Sequence, residues 1–216
     1  MMTIKQIAYN YSKRTEPIKY IVIHDTGNTS KGANAESHYK YFNGGNRGSS
    51  ADFFVDDKQI LQVNDYTKYY TWHCGDGKGK YGITNSNSVG IEMCINADGD
   101  YNKAFDNLVW LTRKLMAELK IPIDRVVRHY DASRKNCPKS FMYANWSLWD
   151  KFKTKLQEGE EMIYNYIDKN MPDWAHEAVK WAVENGIVKG TGEGLGLTDQ
   201  DLKYITWLYR AIEKRG

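Results

Sequence analysis

The 216-residue chain has little of what defines several classes of protein. Three cysteines are too few for a disulfide framework, and their odd number leaves at least one thiol free or bound to a metal. The apolar runs are only a few residues long, whereas a membrane-spanning helix needs roughly 20, so we expect no membrane partner. A net charge of +3 is too small to indicate a nucleic-acid partner.

What remains is the composition of an ordinary globular protein, with 41% hydrophobic and 26% charged residues. The unusual feature is the aromatic content of 16 Tyr and 7 Trp. Aromatic rings stack on sugars and also fill cores, and composition does not separate these uses. The first ten residues lack the apolar stretch of a secretory signal, so we expect no signal peptide.

Breaks in the sequence divide the chain into a larger and a smaller part. A polar stretch begins at residue 157, and Pro172 marks a second break. We therefore predict a domain over residues 1–156, a linker over 157–170 and a helical module over 171–216. The module carries 6 Lys/Arg and 7 Asp/Glu, a net charge of −1, so it differs in sign from the rest of the chain.

The larger part alternates strand and helix patterns. Buried strands are predicted at residues 19–24, 88–95 and 125–129, a hairpin at 51–63 around the turn at 56–58, and a helix before Pro122. This order predicts an α/β fold with a mixed central sheet flanked by helices. In the module, two helices are predicted, the first with Trp174 and Trp181 on its apolar face and the second capped by Thr198.

Three residues form a candidate metal site. His24 and His129 each stand at the carboxyl end of a predicted strand, and Cys137 follows in a polar loop. Two imidazoles and a thiolate are ligands that zinc favours, and three protein ligands leave a position open for water. A histidine at a strand end is more often structural, so spacing alone leaves this interpretation open.

Five short segments favour the metal-site interpretation over the structural one, because they follow one another in the order known from a protein family. They are residues 21–26 (IVIHDT), 50–55 (SADFFV), 71–73 (TWH), 87–92 (NSVGIE) and 128–138 (RHYDASRKNCP). Together they resemble the zinc-dependent N-acetylmuramoyl-L-alanine amidases of the peptidoglycan-recognition fold. The resemblance implies a Zn²⁺ site of His24, His129 and Cys137. It also implies a hydrolase that cleaves peptidoglycan, its stem-peptide and glycan partner, between N-acetylmuramic acid and L-alanine.

The same resemblance assigns roles to three more residues. It implies that Glu92 is the general acid and base and that Lys135 stabilises the tetrahedral intermediate. It also implies that His73 lines the substrate groove. Strand alternation independently places Glu92 opposite Val89, Ile91 and Met93, where a carboxylate needs a partner or a function.

Two positions depart from the family pattern. Part of the family has a catalytic tyrosine where this chain has Ala51, so the acid-base role is expected to fall on Glu92. Asp52 stands where a histidine is frequent, and its role has no assignment from the sequence. The alternative function is a non-catalytic peptidoglycan-binding protein of the same fold, against which the presence of Cys137 argues.

The C-terminal module and the cellular setting complete the hypothesis. Residues 172–175, 185–191 and 197–198 resemble one S-layer-homology unit, which implies wall binding or self-association through residues 171–216. The expected protein is a phage or prophage endolysin that lyses a Gram-positive host. It would be made in the host cytoplasm and would reach the cell wall after release by a holin.

Overall fold

In the computed structural model, which describes residues 2–158 and 163–213, the chain divides into two units, Met1–Gln157 and Glu158–Gly216. The predicted linker at 157–170 lies partly outside the described residues, at 159–162. Among the described helices, none is long and apolar enough to cross a membrane.

The first unit contains eight strands and four α-helices among its described residues. The strands are β1 (Met2–Ile4), β2 (Tyr11–Lys13), β3 (Tyr20–Asp25), β4 (Phe53–Val55), β5 (Ile60–Gln62), β6 (Tyr69–Thr71), β7 (Ser88–Met93) and β8 (Val126–Arg128). The helices are α1 (Ala35–Asn43), α2 (Tyr101–Leu119), α3 (His129–Ser133) and α4 (Tyr143–Gln157). Three short 3-10 helices lie at Gly75–Gly77, Ile123–Arg125 and Lys139–Phe141.

Six strands form a mixed sheet in the order β1-β5-β4-β7-β3-β8. β3 runs parallel to both β7 and β8, while β4 and β5 form the predicted antiparallel hairpin. β2 and β6 form a separate antiparallel pair. The predicted α/β fold with a mixed central sheet is therefore confirmed, and the short strands β1, β2 and β6 are additions that the sequence patterns did not indicate.

Strand alternation divides the sheet residues between two apolar clusters. Val89, Ile91 and Met93 of β7 belong to a cluster with buried residues of α2 and α4. Phe54 and Leu61 belong to another, with Ala35 at the start of α1. Since helices cover both faces, the parallel strands at the centre are almost wholly buried.

Asp52, which had no predicted role, connects three parts of this unit. Its side chain is fully buried, where Oδ2 accepts from the Gly90 backbone N–H at 2.8 Å and Oδ1 accepts from Asn64 Nδ2 at 2.7 Å. Burial raises the pKa of Asp52, and the hydrogen bonds from Gly90 and Asn64 oppose that shift. Asp52 therefore holds the segment before β4 against the middle of β7.

The second unit contains α5 (Asp173–Glu184) and α6 (Asp199–Glu213). The predicted cap is present, because Thr198 Oγ1 accepts from the Asp201 N–H at 3.2 Å while Asp201 Oδ2 accepts from the Thr198 N–H at 2.9 Å. The unit also begins earlier than residue 171. Tyr164 is buried, forms a β-bridge with Leu197 and donates its hydroxyl to Asp199 at 2.8 Å.

The prediction for the tryptophans of this unit was wrong for Trp174. The buried face of α5 consists of small residues, Ala175, Ala178, Val179 and Ala182. Trp174 lies outside this face and is 47% exposed, and Trp207 of α6 is 70% exposed. Trp181 does pack against the ring of Tyr209, at 5.6 Å between centroids. The small side chains of this face share an apolar cluster with Leu202 and Ile205 of α6, and Trp174 lies outside it.

We predict that Asp52→Ala lowers the free energy of unfolding by about 2–4 kcal/mol, because two buried donors lose their acceptor. Chemical denaturation followed by tryptophan fluorescence measures this change. Asp106→Ala is the control, since Asp106 is an exposed residue of α2 and its loss should cost no more than about 0.5 kcal/mol. Equal effects of the two substitutions would contradict the structural role of Asp52.

Candidate active site

The site lies where three parallel strands end side by side. His24 and Glu92 are register partners on β3 and β7, so their side chains emerge on the same face. β8 pairs with β3 up to Arg128, and His129 follows as the first residue of α3. The predicted strand thus ends one residue before His129, and a short helix carries this histidine instead.

Cys137 joins these residues through a loop that folds back on itself. The Tyr130 N–H donates to the Cys137 carbonyl at 2.9 Å, and the Cys137 N–H donates to the Lys135 carbonyl at 2.7 Å. Asp25, the residue after His24, accepts from the Ser140 N–H at 2.6 Å. These bonds fix the loop against β3 and α3, and the loop places the Cys137 Sγ 3.6 Å from His24 Nδ1.

The three predicted ligands therefore come together. One ligand atom from each of His24, His129 and Cys137 lies within 4.8 Å of the others, and all three side chains are buried. His129 Nδ1 is buried, and no residue in the described part of the chain forms a hydrogen bond with it. Two imidazole nitrogens and a sulfur at this separation suit a tetrahedral metal ion with one position left open.

Burial sets the protonation of these ligands. It lowers the pKa of His24 well below the usual value, and the neighbouring His129, His73 and Lys135 lower it further. Burial also lowers the pKa of His129, and the hydrogen bond and negative charge of Asp76 partly offset this by raising it. Both imidazoles are therefore neutral, the form that binds metals. Burial raises the pKa of the Cys137 thiol, so a metal ion would have to displace its proton.

Glu92 lies beside the ligands at the base of an open cleft. Its Oε1 is 3.9 Å from His24 Nδ1, and its buried Oε2 has no hydrogen-bond partner among the described residues. Burial raises the pKa of Glu92 well above the usual value, Asp25 adds to this effect and Lys135 opposes it. A carboxyl group with a raised pKa next to a cleft is typical of general acid-base catalysis.

Lys135 and His73 occupy different surroundings. Lys135 is exposed on the loop before Cys137 and lines the same cleft as Glu92. His73 borders the cleft as well, but it is 8% exposed and both its ring nitrogens contact protein atoms. Nδ1 lies 3.1 Å from His24 Nε2, and Nε2 lies 3.1 Å from Ser88 Oγ.

Two residues at the site had no predicted role. Asp76 Oδ1 lies 2.7 Å from His129 Nε2, and its other carboxylate oxygen accepts from Ser133 Oγ at 3.0 Å. The loop of Asp76 packs so closely on α3 that a Cβ at Gly77 would come 2.1 Å from the Ala132 carbonyl. Ser88 is the second residue, fully buried at the start of β7. Asp76 is 53 residues from His129, and Ser88 is 15 residues from His73. No sequence pattern indicates that either pair is in contact.

Comparison with known proteins places this geometry in context. The N-acetylmuramoyl-L-alanine amidase family model matches residues 14–140, and the S-layer homology domain model matches residues 167–196. The N-acetylmuramoyl-L-alanine amidase CwlH of Bacillus subtilis is 43% identical over 147 residues, which are 66% of this chain and 58% of CwlH. XlyA of the same organism is 40% identical over 145 residues, 67% of this chain and 46% of XlyA. The chain thus spans about half the length of these relatives.

Solved structures agree with the fold. The catalytic domain of XlyA superimposes with a TM-score of 0.65 at 37% identity, covering 72% of this chain and 99% of that domain. The structure of PlyL gives a TM-score of 0.60 at 30% identity, covering 74% of this chain and 97% of PlyL. The similarity to these two structures extends over almost the whole of each neighbour.

Proposed function

The chain belongs to the N-acetylmuramoyl-L-alanine amidase family, and on this premise we propose that it is a zinc-dependent peptidoglycan hydrolase. The bond cleaved is the amide between the lactyl carbonyl of N-acetylmuramic acid and the amine of L-alanine. The observation that carries the proposal is the convergence of His24, His129 and Cys137 with the carboxyl of Glu92 beside them.

Zinc fits the residues that are present. His24 and His129 are neutral imidazoles, His129 Nδ1 has no partner of its own, and Cys137 adds a soft sulfur ligand. Asp76 holds the other nitrogen of His129, the usual arrangement behind a metal-binding histidine. When bound, zinc supplies Lewis acidity and lowers the pKa of a coordinated water to about 7.

Glu92 carries the proton in this mechanism. Its carboxylate accepts a proton from the attacking water and returns it to the nitrogen of the departing L-alanine. The carboxyl lines the cleft, with Oε1 3.9 Å from His24 Nδ1, so it lies next to the proposed ligands where this transfer takes place. Because burial raises the pKa of Glu92, the protonated form that must donate to the amine is easier to reach than for an exposed glutamate.

Lys135 supplies positive charge at the rim of the cleft. Its exposed ammonium group acts electrostatically on Glu92, His24 and Cys137. The carbonyl oxygen of the scissile amide becomes negative as water adds to the carbon, and a nearby cation stabilises that charge. The lysine side chain is flexible, so it can follow the oxygen from the ground state to the tetrahedral intermediate.

The proposal extends to an endolysin of phage or prophage origin acting on a Gram-positive wall. The similarity to the structure of a mutant endolysin from Bacillus subtilis supports this setting. Release to the wall by a holin belongs to the same proposal. The competing function is peptidoglycan binding without catalysis. A protein with that function would bind purified cell walls and release no L-alanine amino termini from them.

For the second unit we propose wall binding or self-association without a catalytic role. The match of residues 167–196 to the S-layer homology model supports this role. The exposed rings of Trp174 and Trp207 offer flat apolar surface to a partner. Such rings stack on sugars as readily as on protein side chains, so both wall polymers and a second copy suit this surface.

We predict that Cys137→Ser loses zinc and hydrolytic activity together, because a hydroxyl is a poorer zinc ligand than a thiolate. Metal analysis of the purified variant measures the zinc content. Cys94→Ser is the control, since Cys94 is also a buried thiol but lies outside the ligand cluster. Full zinc occupancy in Cys137→Ser would show that the ligand assignment is wrong.

We predict that Glu92→Gln keeps its zinc but loses activity by about 10²- to 10⁴-fold, because the amide keeps the shape and cannot accept the proton. The measurement is the release of L-alanine amino termini from purified cell walls at neutral pH. If the unsubstituted chain binds walls and releases no amino termini, it is a binding protein. A loss of less than tenfold in the variant would assign the proton transfer to another residue.

We predict that a chain ending at Gln157 keeps its zinc and hydrolyses soluble muropeptide at the full-length rate. It should sediment less with intact walls, or lose an oligomeric state that the full-length chain shows. Co-sedimentation and light scattering measure the two effects. Unchanged sedimentation together with unchanged mass per chain would remove both roles proposed for the second unit.

A further inference from the structure

We propose that His73 and Ser88 are positioning residues that fix the tautomer and orientation of His24, so that His24 presents Nδ1 to the metal. They form a hydrogen-bonded chain that runs from the Thr84 carbonyl through Ser88 and His73 to His24. The inference rests on the proposed role of His24 as a zinc ligand. It replaces substrate contact as the function of His73.

The direction of the chain follows from counting hydrogens. The Thr84 carbonyl can only accept, and Ser88 donates its single hydroxyl hydrogen to it. Ser88 Oγ is then an acceptor for the hydrogen on His73 Nε2, 3.1 Å away. A neutral imidazole carries one N–H, so His73 Nδ1 holds a lone pair.

The same count continues to the metal ligand. The lone pair on His73 Nδ1 accepts from His24 Nε2 at 3.1 Å, which places the only hydrogen of His24 on Nε2. His24 Nδ1 therefore has its lone pair free, on the side of the ring that faces Cys137 Sγ at 3.6 Å. The chain selects the tautomer that a metal ion requires at this nitrogen.

Packing keeps the His73 ring in this position. A Cβ at Gly90 would lie 2.5 Å from His73 Cγ, so the ring occupies the space above a glycine on β7. Asn85 Oδ1 accepts from the backbone N–H groups of His73 at 3.0 Å and of Cys74 at 2.7 Å. The rings of His73 and His24 meet edge to face, with 5.2 Å between centroids. With both nitrogens used inside the protein, His73 acts through His24.

The two histidine ligands thus receive different support. His129 is held by a carboxylate, Asp76, whereas His24 is held by a neutral imidazole and a hydroxyl. Outer partners of metal-binding histidines typically contribute about 10- to 100-fold in metal affinity. A loss within that range is therefore expected when the chain behind His24 is broken.

The test measures zinc affinity of the full-length chain without substrate, by competition with a chromophoric chelator. Ser88→Ala removes the acceptor for His73 Nε2–H and should weaken zinc binding by about 10-fold, and His73→Leu by about 10- to 100-fold. His73→Asn can place its amide oxygen near the former Nδ1, so it should recover affinity to within a few-fold of the unsubstituted chain.

Thr112→Val is the matched control. Thr112 is a buried residue of α2 that also donates its hydroxyl to a backbone carbonyl, that of Leu108 at 2.8 Å. It does not line the cleft, so this variant should keep its zinc affinity. If Ser88→Ala and Thr112→Val bind zinc equally well, or if His73→Asn is as weak as His73→Leu, the positioning role is wrong.

A second measurement separates this inference from the proposed function. Nitrogen-15 NMR of the zinc-free chain reports which ring nitrogen carries the hydrogen, and we expect Nε2–H for both His73 and His24. Nδ1–H on either ring overturns the inference, whatever the activity. A chain with the expected tautomers that binds zinc and cleaves no wall amide keeps the positioning role and loses the proposed hydrolase. A chain that binds no zinc overturns both.

Discussion

The parallel pairing of β3 with β7 and β8 is the constraint on which the whole site depends. Its register sets His24 opposite Glu92, and the end of β8 delivers His129 beside them. In a sheet, a slip of one residue would turn every side chain to the other face. His24 would then point into the apolar cluster that contains Ile21 and Ile23. The apolar residues that these strands present to that cluster therefore fix the register and, with it, the geometry of the proposed ligands.

Desolvation favours the uncharged form of each ionisable group at the ends of these strands. It favours neutral imidazoles in His24 and His129, a protonated thiol in Cys137 and a protonated carboxyl in Glu92. A divalent cation reverses the preference for the acids and leaves the imidazoles as they are. The unpartnered Glu92 Oε2 and His129 Nδ1 lie in this cluster. Buried polar atoms without partners are rare in folded proteins, and the metal and the proton transfer proposed for the cleft would give these two a role.

The sequence predicted the parts of the molecule that carry a strong local pattern. The apolar runs of β3 and β7, the periodicity of α2 and the cap at Thr198 are all present. The strands β1, β2 and β6 are short and carry no buried apolar run, and β1 even ends in an exposed isoleucine, Ile4. Trp174 was assigned to a buried face by its hydrophobicity, but close packing of alanines decided which residues of α5 are covered.

For the site, sequence reasoning reached residues that line the cleft and missed those behind them. His24, His129, Cys137, Glu92 and Lys135 stand in recognisable segments, and the fold brings them to one cleft. Asp76 and Ser88 are an ordinary aspartate and serine in the sequence, because the contacts that distinguish them are made by folding.

Similarity between sequences shows which residue types two proteins share. It does not show which nitrogen of a histidine ring carries the hydrogen. His73 is conspicuous as a histidine near the groove, yet its two nitrogens are both bonded to protein atoms. The Ser88 hydroxyl has one hydrogen and the Thr84 carbonyl has none. This is enough to set which atom donates in each hydrogen bond from Ser88 to His24. The hydrogen bond between His73 and His24, the proposed metal ligand, therefore takes its direction from Thr84 and Ser88, two residues that no metal-site pattern would select.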